Sequence, residues 1–191
     1  MEFLPKMTGK KTTTRYRDPA DSRDWIIIQK LSEYPDQATP EDVARGMGPA
    51  STVGRYLCHL AGNENELAFM RVYKQVPQAG TDHEDSDVRR AQATGRPEHM
   101  ELAALKHLTD NKCSATPKLL GWHYDTQDVT DLVPGGYVTY LVWEKVPGDP
   151  LSEEEFWSFT YGQRESIRAK FKQAYSCVTE YLAYNYMPIA N

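Results

Sequence analysis

Five histidines and three cysteines are the residues of this 191-residue chain with the widest chemical repertoire, and their spacing removes most of it. His99 and His107 stand more than two helical turns apart on what reads as one helix, too far for a shared metal. His83 sits among Asp82, Glu84, Asp85 and Asp87, which reads as a solvated charge run. His59 and His123 are isolated. Cys58, Cys113 and Cys177 are widely spaced and fit no zinc pattern, and their odd number disfavours a disulfide framework, so reduced thiols are expected. No nucleophile elbow, dinucleotide fingerprint or metalloprotease helix occurs. No metal site is expected.

Composition narrows the field further. With 40% hydrophobic and 11% aromatic residues the chain can fill a sizeable core. A net charge of -5 argues against nucleic acid, because phosphate binding draws on clustered Lys and Arg. The basic stretch Lys10-Lys11-Thr-Thr-Thr-Arg15-Tyr-Arg17 reads as a solvated tail. No apolar run reaches the roughly 18 residues of a membrane span, and Met1 to Lys11 lacks the apolar stretch of a secretory signal. The expectation is a soluble, cytoplasmic protein without nucleic-acid or membrane partners.

These residues must be positioned by an order of elements that can be read from pattern. Residues 1–20 show no periodicity and are expected to be a disordered tail. Ser22 followed by Trp25-Ile-Ile-Ile28 and Leu31 predicts a short helix, and Thr39-Pro40-Glu-Asp42 predicts a second one ending at Gly46. Together they make a helical extension over 21–47. Val53–Leu60 and Glu66–Val76 predict an antiparallel hairpin around Ala61–Asn65. Residues 77–96 predict a long loop, and Pro97 opens a helix to about Asp110 with Met100, Ala103, Ala104, Leu105 and Leu108 as its buried stripe. Lys118–Asp125 and Tyr137–Val146 predict further strands joined through Pro134-Gly-Gly136. Ser152 with Glu155 and Thr160 with Gln163 predict capping boxes. The helix after the second box carries Ile167, Phe171, Ala174, Tyr175, Val178, Tyr181 and Leu182 at helical spacing, with the aromatics read as core.

In this order and spacing the chain resembles the fungal branch of the protein-kinase-like superfamily, related to aminoglycoside and choline phosphotransferases. The resemblance covers roughly 50–188. It is carried by Ala68-Phe-Met-Arg-Val-Tyr-Lys-Gln-Val-Pro77, Glu101 in its helix, Thr116-Pro-Lys-Leu-Leu-Gly121, Pro134-Gly-Gly-Tyr137 through Glu144-Lys-Val-Pro-Gly148, and Arg164 to Phe171. It implies an α+β fold. A kinase-like small lobe over 48–147, an antiparallel sheet with one packed helix, would lead into a truncated helical large lobe over 148–191.

The resemblance also implies a site. Arg71 occupies the strand position where the family carries its phosphate-binding lysine, and Glu101 is the matching helix glutamate. The pair is either a ligand-binding and catalytic element or an ion pair locking helix to sheet. Lys74, three residues on, should face the other way, because side chains alternate along a strand. Trp143, Glu144 and Val146 match the connector that holds adenine, or else form a plain interlobe linker. Gly46-Met-Gly48 is closer to a helix stop than to a phosphate loop. The family's His-x-Asp segment and its Asp-x-x-x-x-Asn are both read as absent from the chain. No cofactor follows from the residues themselves; the resemblance implies ATP, without dedicated magnesium ligands.

The expectation drawn from this is a truncated kinase-like protein, not an active phosphotransferase, binding a small ligand or a partner through the remnant interlobe cleft. Its partner would be a second copy or another protein on an exposed helical face. The alternatives are recruitment of the fold for different enzymology on a small organic molecule, and half of a split ATP-dependent phosphotransferase.

Overall fold

A computed structural model describes residues 2–186, with the side chains of Pro19, Cys177, Val178 and most residues beyond them excepted. The chain divides into two compact units: Met1–Glu98 with Leu119–Lys145, and His99–Lys118 with Val146–Asn191.

The first unit is a single six-stranded sheet of β1 (Lys11–Thr14), β2 (Arg23–Asp36), β3 (Ser51–Leu60), β4 (Asn63–Gln75), β5 (Leu119–Thr126) and β6 (Tyr137–Glu144). Its order is β1-β2-β3-β4-β6-β5, and every neighbouring pair is antiparallel. The two outer strands meet: Arg15 and Trp122 exchange backbone hydrogen bonds of 3.1 and 2.9 Å, so the sheet curls into a nearly closed barrel. Closure satisfies edge groups that an open sheet would leave to water.

This overturns the expected kinase-like small lobe with its helical extension. The run Trp25-Ile-Ile-Ile28 is strand, not helix. β-Branched side chains lose rotamer freedom in a helix and pack well on a pleated surface, and here that preference prevails over the helical spacing. Residues 11–14, expected in a tail, form β1, with Thr12 and Thr14 buried. The hairpin is present, with Ser51 opposite Gln75 and a tight turn at Gly62, whose φ of 87° suits glycine.

Trp25, Ile27, Tyr56, Cys58, Met70, Val72, Val138, Tyr140 and Val142 fill the interior. Six strands enclose less space than the eight that leave room only for side chains, so the barrel is packed and its centre is not a ligand cavity. Two bulges in β2, at Ile27/Gln29 and Lys30/Ser32, bend this long strand around the core.

Short helices decorate the first unit. α1 (Pro40–Ala44) begins at a Thr39–Asp42 capping box, and α2 (Ser86–Arg90) lies within the loop after β4. The second unit holds α3 (Met100–Asp110), α4 (Glu153–Ser158) and α5 (Tyr161–Tyr186). Ser152 accepts from the Glu155 amide at 3.1 Å, and Gln163 caps Thr160 at 2.9 Å, where the capping boxes were read. In α3 the buried residues are Leu102, Leu105 and Leu108, while Met100 is exposed. Phe171 and Tyr175 stack at 5.5 Å on the exposed surface of α5 instead of packing in a core. The side chains of Val178, Tyr181 and Leu182 lie outside the described residues. Cys113 is disulfide-bonded, against the expectation of three reduced thiols; wide spacing in sequence says nothing about distance in space. No helix among the described residues is long and apolar enough to cross a membrane.

Candidate functional site

β4 presents alternate residues to opposite sides of the barrel wall. Ala68, Met70 and Val72 face the core, and Phe69 and Arg71 face outward. The Arg71 guanidinium lies 5.3 Å from the ring centre of Trp143, Phe69 sits 6.2 Å from the same indole, and the Arg55 guanidinium lies 5.6 Å from the Phe69 ring centre. An arginine over an aromatic face is a cation–π contact. The structure thus brings Arg71 and Trp143 together on the outer wall. Glu144 ends β6 opposite Ala68. Glu101, in the first turn of α3, and Val146, half exposed, belong to the second unit. The chain does contain one His-x-Asp, His83-Glu-Asp85, in an exposed loop upstream of α2.

Lys74 faces inward, opposite to Arg71 as alternation requires. Its ammonium lies 2.7 Å from Asp131 Oδ1 and is largely buried. Burial pushes the Asp131 carboxyl up, but the Lys74 hydrogen bond and charge outweigh it and hold the group below the ordinary carboxylate range. Asp131 sits on a firmly tied loop. Its Oδ2 accepts from the Asp128 amide at 3.0 Å, Arg89 donates to the carbonyls of Asp131 and Leu132, and buried Gln127 bonds Gln75 O and the Val133 amide.

The seam between β1 and β5 gathers cationic and aromatic side chains. A pocket of about 390 Å³ is lined by Arg15, Tyr16, Arg17, Asp18, Trp122, His123 and Tyr124. An isolated Arg15–Trp122 bridge ties the two strands here, and β1 is four residues long. Tyr16 meets Trp122 edge-on at 5.8 Å, and the Arg17 guanidinium lies 5.6 Å from the Tyr16 ring centre. Arg96 lies 3.6 Å above Tyr124. His123 points the other way and stacks on Tyr140 at 6.2 Å, whose hydroxyl accepts from Lys10 Nζ at 3.4 Å. The pocket therefore combines the aromatic rings of Tyr16, Trp122 and Tyr124 with Arg15 and Arg17.

The chain matches no protein-family model, no curated protein and no solved structure.

Among the described residues no cluster of His, Cys, Asp or Glu could hold a metal ion. The seam residues were missed because Lys10 to Arg17 reads as a polar tail when taken alone. Tyr16 between two arginines was the available signal, and Trp122-His-Tyr124 its aromatic complement.

Proposed function

We propose that the first unit is a binding module for a small, planar, negatively charged organic molecule, held in the seam pocket between β1 and β5. The observation that carries this reading is the convergence of Tyr16, Trp122 and Tyr124 with Arg15, Arg17 and Arg96 on one face of a protein whose net charge is -5. A ring stacks on the aromatic walls, and guanidinium groups take a carboxylate or phosphate in bidentate fashion. The pocket's volume falls in the range of small-ligand sites, roughly 300–1,000 Å³. The side chains packed in the barrel centre support the surface location.

Calorimetric titration with three probes tests it: an aromatic carboxylate, a nucleoside monophosphate and a neutral aromatic amide. Saturable binding of at least one anion is expected, weakened by Trp122→Ala and by Arg15→Gln with Arg17→Gln. Failure of both anions to bind, or neutral-amide binding as tight as theirs, overturns the reading.

A further inference from the structure

Residues 2–5 are held inside one end of the barrel in an unusual manner. They have no strand partner; the first backbone bond of the N-terminal segment to the sheet is Gly9 N–H to Ile27 O at 2.8 Å. Side chains read the segment instead. Glu33 Oε1 accepts from the Phe3 amide at 2.7 Å and from the Leu4 amide at 3.2 Å. Lys30 Nζ donates to Leu4 O at 2.7 Å, and the Tyr56 hydroxyl donates to Pro5 O at 3.0 Å. Four main-chain groups on three successive residues are thereby recognised.

The reading groups are built in. The Glu33 side chain is 2% exposed and that of Lys30 8%; the two meet at 2.5 Å, and Thr52 donates to Glu33 at 2.8 Å. Leu4, 4% exposed, fills the space over Gly54, where a Cβ would come within 2.5 Å of Leu4 Cδ1. Gly54 thus leaves a socket for one apolar side chain. A carboxylate for consecutive amides, an ammonium and a phenol for carbonyls, and a socket for an aliphatic group are what a peptide main chain with one apolar anchor requires.

We infer that this end of the barrel is a peptide-recognition site for a short apolar–proline segment bent at its aliphatic residue, filled in this chain by its own Phe3-Leu4-Pro5. The site is separate from the seam pocket in its residues and in its ligand chemistry. A peptide of the same pattern from another protein competes for it whenever the resident segment lifts.

The test uses the full chain with a protease recognition sequence inserted between Thr8 and Gly9, where Met7 and Gly9 already form a turn at positive φ. After folding and cleavage, near-ultraviolet circular dichroism reports the barrel, and a fluorescent peptide of residues 1–8 reports exchange by anisotropy. The expected result is an unchanged spectrum with saturable binding. Binding should weaken by about tenfold or more in Glu33→Gln, because a hydrogen bond to a charged group is lost. It should also vanish for the peptide carrying Leu4→Asp. Three outcomes overturn the inference: loss of the folded spectrum once the segment departs, a resident fragment that never exchanges, or equal binding to Glu33→Gln.

Discussion

Lys30 and Glu33 lie three positions apart on one strand, yet both face the barrel interior, with Lys30 Nζ 2.5 Å from Glu33 Oε2. In a regular strand residues three apart face opposite sides. The bulges at Ile28 and Leu31 each add a residue, and the second re-aims Glu33 onto the side of Lys30. Ile28 and Leu31 are left partly exposed in consequence. The pair organises the end of the barrel that holds Leu4.

Glu33→Gln should destabilise the first unit by about 3 kcal/mol, the scale for removing one partner of a buried ion pair. Urea denaturation checks it. The pH dependence has a sign at each end. Burial pushes Glu33 up, but Lys30 and the Phe3 amide bring its carboxyl below the ordinary value, so its contribution is complete above the ordinary carboxylate range and is lost as pH falls through the lowered value. Burial pulls Lys30 down, but Glu33 raises it overall, so its contribution is complete below the ordinary lysine range and is lost as pH rises through the raised value. Stability of the variant should be flatter at both extremes.

Gly121→Ala should loosen the seam. A Cβ at this position would stand 2.6 Å from Thr14 Oγ1 and 3.1 Å from Arg15 O, so β1 must shift away from β5. A cost of about 1–3 kcal/mol is expected for such overpacking. Amide exchange of Arg15 and Trp122, whose backbone groups form the bridge, should accelerate more than that of β3 or β4.

Cys58 should resist modification in the native protein. Its thiol is fully buried, donates to Ala68 O at 3.3 Å and has its pKa pushed up to about 12 by burial. The thiolate, the reactive form, is therefore scarce at neutral pH. Iodoacetamide labelling followed by mass spectrometry should mark Cys58 only after denaturant is added.

Reduction should weaken the second unit selectively. Cys113, packed with Leu108 and Ala104, is disulfide-bonded, and removing such a bond commonly costs about 2–4 kcal/mol. Calorimetric scans with and without a reductant should show the shift. The near-ultraviolet signal of the barrel tryptophan Trp25, which donates to Thr14 at 3.0 Å, should not change.

Local rules made several features legible from the residues alone. Helix starts at Thr39, Ser152 and Thr160 follow from side chains accepting from the amide three positions on, an interaction that needs no tertiary context. The β3–β4 hairpin and the opposed facing of Arg71 and Lys74 follow from alternation, also a local property. The run at Trp25–Ile28 was ambiguous because short apolar stretches satisfy helix and strand patterns alike. Its choice of strand depends on pairing with β1 and β3, which are remote decisions.

Tertiary structure alone decided closure and the sites. Arg15 meets Trp122 across more than half the chain, and only a sheet that curls fully brings them together. The bulges that turn Lys30 and Glu33 to one side leave no mark in the hydrophobic pattern, since a strand's facing is set by its neighbours' register. Composition and capping determined which segments form elements; the distances that give Tyr16, Trp122, Glu33 and Lys30 their neighbours arise only when non-local strand pairs lock those elements in space.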